Sequence, residues 1–174
     1  MVYTPVQVVL HWVSAVVILW ALLSGFYVSV FEVVPTTKAW VGFVNVSLTT
    51  LYIPLFILRF YWALLHGRSK FTRGRSINEY IALFVHTAIY WVLGVVLVTG
   101  VLMMDRPINI FDVLLIAQPL TDPVAIEWFM RVHIQACVAL LALVAVHVGA
   151  VIKHEMCGHR VLKNMSLSHG TDVR

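Results

Sequence analysis

Four histidines stand inside long apolar stretches, and their positions admit a definite chemistry. His133 and His147 lie fourteen residues apart in one such stretch. At about 100° per residue the second side chain returns to within roughly 40° of the first, about 21 Å further along the same helix face. The hydrocarbon of a bilayer is only about 30 Å thick, so one helix presents an imidazole near each end of it. Ionisable groups at that depth are costly and mark function. Imidazole is a favoured axial ligand of haem iron, and the spacing suits two haems stacked across a membrane.

The elements that must carry these side chains follow from composition. Of 174 residues, 61% are hydrophobic and 11% charged, with a mean hydropathy of +0.91. A soluble domain carries about 25% charged residues. Spanning-length apolar stretches occur at about 6–30, 40–65, 80–104 and 128–152. The first lacks a basic n-region and a clear small-residue cleavage site, so it is expected to remain as helix one. Short connections favour antiparallel neighbours. The expected fold is therefore all-α, an integral membrane four-helix up-down bundle forming one domain over 1–174.

Charge sets the orientation. Arg68, Lys70, Arg73 and Arg75 lie between helices two and three, with Arg59 just inside helix two; Lys153, Arg160, Lys163 and Arg174 follow helix four. The other two connections mix Lys38, Arg106 and Arg131 with Glu32, Asp105, Asp112, Asp122 and Glu127. The positive-inside rule puts both termini of this multi-pass chain in the cytoplasm. The basic residues are this topogenic signal, and no nucleic-acid role is expected.

Pro35, with Thr36 and Thr37, is expected to break the chain after helix one, and Pro54 to kink helix two. In the longer outer connection Ile110, Phe111, Leu114 and Leu115 have helical spacing. They are read either as an interfacial helix or as an irregular loop folded over the bundle. Gly25, Gly42, Gly94, Gly100 and Gly149 leave room for close helix approach or for a flat macrocycle. Cys137 and Cys157 form no disulfide framework, and neither lies in the C-x-x-C-H pattern of covalent haem attachment.

Depth sorts the histidines. His11, His86 and His147 share the inner half of the membrane, and His133 is alone near the outer surface; His66, His154, His159 and His169 fall at the cytoplasmic boundary or in the tail. One iron takes only two axial ligands, so one of the three inner imidazoles has another role, and an interhelical hydrogen bond is the ordinary role of a lone membrane histidine. Zinc is disfavoured, since no Cys, Asp or Glu accompanies the imidazoles to complete its usual ligand set.

Val9-Leu10-His11-Trp12 opens helix one, Arg59 closes helix two, and Val85-His86-Thr87-Ala88-Ile89-Tyr90 opens helix three. Gly100-Val101-Leu102-Met103-Met104 ends helix three, and His133, His147 and His154 follow in helix four. Over nearly its whole length the chain resembles the bacterial cytochrome b561 family, small four-helix di-haem membrane proteins, and within it those members that pass electrons from superoxide to ubiquinone. The resemblance implies a bacterial inner membrane, and haem b on its cytoplasmic side, ligated by His11 and His147, with His133 a ligand of an outer haem. It implies a second outer ligand early in helix two, where this chain has Asn45; helix two holds no histidine before His66. The outer haem is then absent, five-coordinate, or completed by Met103 or Met104. Arg59 is expected near a haem propionate or as a snorkelling arginine. His86 is expected beside the inner haem through a propionate or water, and His154 near a quinone oxygen or simply in interfacial water.

The expected function is single-electron transfer to or from quinone, as a quinone-linked oxidoreductase acting on superoxide. One alternative is a haem-binding anchor or electron conduit for a partner redox protein, without a substrate of its own. Another is a haem-free structural or transport protein.

Overall fold

The computed structural model describes residues 4–67 and 77–158. The loop residues Arg68, Lys70, Arg73 and Arg75 and the tail residues His159, Arg160, Lys163, His169 and Arg174 lie outside the described residues, as does the side chain of His66. Four helices, α1 (Pro5–Val30), α2 (Pro35–Gly67), α3 (Ile77–Leu102) and α4 (Pro123–Met156), enclose a two-stranded hairpin, β1 (Ile108–Ile110) and β2 (Leu114–Ile116), in chain order between α3 and α4. All four helices are long and apolar enough to cross a membrane.

Each helix start has a local cause. Thr4 and Gln7 cap α1 reciprocally, the Thr4 amide donating to Gln7 Oε1 at 3.0 Å and the Gln7 amide to Thr4 Oγ1 at 3.4 Å. Asp122 caps α4 by accepting from the Val124 amide at 3.1 Å. Pro5, Pro35 and Pro123 are the first residues of α1, α2 and α4. A proline there lacks only an N–H that would have had no helical partner. This corrects two expectations. The chain does break after α1, at 31–34, but Pro35 already begins helix two, five residues before Trp40, and α4 begins at Pro123, five residues before Trp128. Helix α2 runs on through Pro54.

The outer connection is also corrected: it forms neither a helix nor an irregular loop. β1 pairs antiparallel with β2, Ile108 opposite Ile116 and Ile110 opposite Leu114. The turn places Phe111 at φ 48° and Asp112 at φ 57°, a left-handed conformation that aspartate tolerates and phenylalanine rarely adopts. Asn109 stabilises it, donating to Asp112 Oδ1 at 2.6 Å and accepting from the Asp112 amide at 3.0 Å. Ser47 of α2 anchors the hairpin, donating to the Asn109 carbonyl at 3.2 Å and accepting from the Phe111 amide at 3.1 Å.

The helices associate as two close pairs, α1 with α2 and α3 with α4, while α2 and α3 approach less extensively. The core between the pairs is Leu22, Tyr52, Phe56, Leu93, Leu97 and Leu140. Large apolar side chains such as Val16, Leu23, Phe84, Trp91 and Val98 point outward, as lipid-facing residues must. Two buried hydroxyls return to their own helices: Ser14 donates to the Leu10 carbonyl and Thr99 to that of Val95, both at 2.6 Å. With no water in the hydrocarbon, internal partners of this kind are required.

Candidate haem sites

The antiparallel order brings the start of α1, the end of α2, the start of α3 and the end of α4 to one end of the bundle, the inner end. His11, Arg59, His86 and His147 meet there. Arg59 donates from Nη2 to His11 Nδ1 at 2.8 Å, and its guanidinium stands 5.3 Å from the centre of the Tyr90 ring. His86 and His147 contact edge to face, their ring centres 4.7 Å apart. Arg59 lies within electrostatic range of both His11 and His147. His86 is the most exposed of the three imidazoles. Tyr52, 2% exposed, ends beside Ser14 and Arg59, and its hydroxyl reaches hydrogen-bond geometry with no described residue. A buried unsatisfied hydroxyl costs about 1–3 kcal/mol, so a polar acceptor is in demand at this point.

The outer half is different. His133 on α4 is held by α3: its Nδ1 lies 3.1 Å from the Val96 carbonyl oxygen and 3.1 Å from Thr99 Oγ1. A carbonyl only accepts, and the Thr99 hydrogen is already directed to Val95. Nδ1 must therefore carry the proton and donate, which leaves Nε2 with its lone pair. This is the tautomer that a metal-binding imidazole needs, with the other nitrogen oriented by a backbone carbonyl. Cys137, one turn on, places Sγ 3.5 Å from Nε2. Gly100 lies against the same ring, where an added Cβ would come within 3.2 Å of it.

His133 lines a cavity of about 420 Å³ between the two helix pairs, a size in the range of small-molecule and cofactor sites. Asn45 lines the opposite, α1–α2 wall. It is tied to α1 through Ser24 Oγ, 3.1 Å from Oδ1, and through the Ala21 carbonyl, to which Nδ2 donates at 3.4 Å. Gly25 and Gly42 line the cavity, as does Gly100. Gly94 instead gives room to the Phe56 ring, and Gly149 faces open space. Met103 and Met104 also reach the cavity, but they follow directly on α3, the helix that holds His133. Met104 is buried in a cluster with Ile108 and Ile110 under the hairpin.

The family model for prokaryotic cytochrome b561 matches residues 2–166. The chain belongs to the prokaryotic cytochrome b561 family. Membership implies haem b binding and haem-containing electron transfer in a prokaryotic membrane. A comparison with curated proteins gave no match. The donor sets suit this cytochrome's cofactor. Among the described residues no three His, Cys, Asp or Glu side chains gather into a metal-ion cluster, but a haem iron asks the protein only for its axial ligands. Imidazoles, a guanidinium matched to carboxylates and an orphaned hydroxyl supply the inner end; a tautomer-fixed imidazole facing an apolar, glycine-walled cavity supplies the outer end.

The residues expected at the inner end, His11, Arg59, His86 and His147, are brought together, and His133 stands apart as expected. Sequence reasoning missed Tyr52, Val96, Thr99 and Cys137. Only Cys137 had a signal, its i+4 spacing from His133; the others act across helices. His154, near the inner end of α4, is exposed.

Proposed function

We propose that this cytochrome is an electron-transfer protein of the bacterial inner membrane that moves single electrons to or from quinone, with superoxide as the electron source. The observation that carries this reading is the gathering of His11, Arg59, His86 and His147 from four helices at one depth. His11 and His147 would hold a cytoplasmic-side haem b, which would supply the one-electron chemistry. His86 and Arg59 position and tune it. A neutral imidazole that ligates through Nε2 carries its hydrogen on Nδ1, so it cannot also accept there from Arg59. With His11 holding the haem through Nε2, the Arg59 guanidinium would be available to pair with a carboxylate of that group. His133 would hold a haem at the outer site.

A second reading is an electron conduit for a partner redox protein. The outer hairpin favours it, because Val113, Leu114, Leu115 and Ile116 are all exposed. The test is the purified full chain with superoxide and a soluble ubiquinone analogue. Quinone reduction by the protein alone supports the first reading. A reduced-haem spectrum with no quinone turnover supports the second, and a haem-free protein removes both.

A further inference from the structure

The two walls of the outer cavity are chemically unequal. The α3–α4 wall presents His133, whose tautomer is fixed by the Val96 carbonyl with Nε2 as the basic nitrogen. The α1–α2 wall presents Asn45, a neutral amide and a poor iron ligand. The remaining lining is largely apolar: Val17, Ile18, Leu22, Phe26, Val41 and Ile53 on that same wall carry no group able to coordinate iron. The methionines do not fill the role, since Met103 and Met104 belong to the His133 side and Met104 is packed beneath the hairpin. A ligand opposite His133 must come from α1 or α2; among the cavity-lining residues of those helices none is His, Met or Cys, and the one phenol, Tyr52, ends beside Ser14 and Arg59.

We propose that the outer site is an open haem centre: iron held on its α3–α4 side by His133 alone, with the opposite position free to take a small exogenous diatomic ligand. Asn45 is the distal hydrogen-bond donor to that ligand. This rests on the haem reading above and extends it from electron transfer to ligand binding. Distal polarity, donors and steric access are what decide whether a haem binds small molecules or only passes electrons. Besides this amide the distal wall carries the hydroxyls of Ser29, Thr49 and Thr50 and the Tyr52 phenol; the three hydroxyls donate to carbonyls of their own helices, while Ser24 and the Ala21 carbonyl hold the amide in place. The Nδ2 amine has two hydrogens, and the Ala21 carbonyl takes only one of them. Gly25, whose added Cβ would stand 3.7 Å from Asn45 Nδ2, leaves the approach to the amide open.

The test uses the full chain purified in detergent. Haem-to-protein ratio and spectra are recorded with carbon monoxide on the reduced protein and cyanide on the oxidised protein. The expected result is a carbon-monoxide-sensitive haem beside a low-spin haem that carbon monoxide leaves unchanged. His133→Ala should remove the sensitive haem and spare the other. Asn45→His should convert it to a low-spin form that no longer binds carbon monoxide. Asn45→Leu should keep the haem and weaken cyanide binding about fivefold, the loss expected for one hydrogen bond. A single low-spin haem inert to both ligands would overturn the open site while leaving the electron-transfer reading intact. So would two inert low-spin haems, or carbon monoxide binding that persists in His133→Ala. A chain with no haem at all would overturn both readings.

Discussion

At the residue scale the inner imidazoles have separable roles. If His11 and His147 hold the inner haem as proposed, replacing either by alanine removes one of its two imidazoles, so either variant should lose the inner low-spin absorption bands; retention of those bands in both would end the assignment. His86→Ala removes a ring packed edge to face on His147, so it should keep the haem and shift its midpoint potential in a redox titration. Arg59 places a permanent positive charge near the inner imidazoles. A nearby cation favours the more negatively charged, reduced iron, so Arg59→Met should lower the midpoint potential, on the order of 50 mV at an effective dielectric near 20. An unchanged potential would place Arg59 as a topology-setting residue with no influence on the iron.

At the scale of elements the hairpin depends on a helix far away in sequence. Ser47 is fully buried, 0% exposed, and its hydroxyl serves both the Asn109 carbonyl and the Phe111 amide. Ser47→Ala leaves both backbone groups short of a partner in a largely dry place, a loss of about 1–3 kcal/mol. The penalty is local, so amide exchange at Phe111 should accelerate while exchange within the four helices stays unchanged. Equal protection of Phe111 in both proteins would show that the turn holds by its own Asn109–Asp112 contacts.

At the scale of the whole molecule, two helix pairs meet around a core that is continuous near Tyr52 and opens toward the hairpin. The orientation of this bundle follows the basic residues, which belong mostly to the connection after α2 and the tail after α4. Cys157, exposed just beyond α4, should react with a membrane-impermeant maleimide from the cytoplasmic side only, as inverted and right-side-out vesicles will show. Cys137, within the membrane span, should not react from either side. Labelling of Cys157 from the outside would reverse the topology.

The sequence by itself determined the four spans, their antiparallel order, and that His11, His86 and His147 lie toward one end of the bundle and His133 toward the other. Those properties follow from local composition and helical period: an apolar stretch of spanning length must satisfy its backbone internally, and fourteen residues of helix have a fixed rise. Pro35 and Pro123 were open to misreading because a proline both ends and begins helices, and only its position relative to the cap distinguishes the two. The hairpin was hidden for a different reason. Its turn needs positive φ at Phe111, a residue that does not advertise it, and its anchor is Ser47, more than sixty residues away. The tertiary structure alone decided which nitrogen of His133 carries the proton, that Arg59 meets His11, and that Asn45 and His133 face one cavity from opposite helix pairs. Each of these is a contact between helices, set by how side chains pack and pair across the bundle, and no local pattern along the chain encodes it.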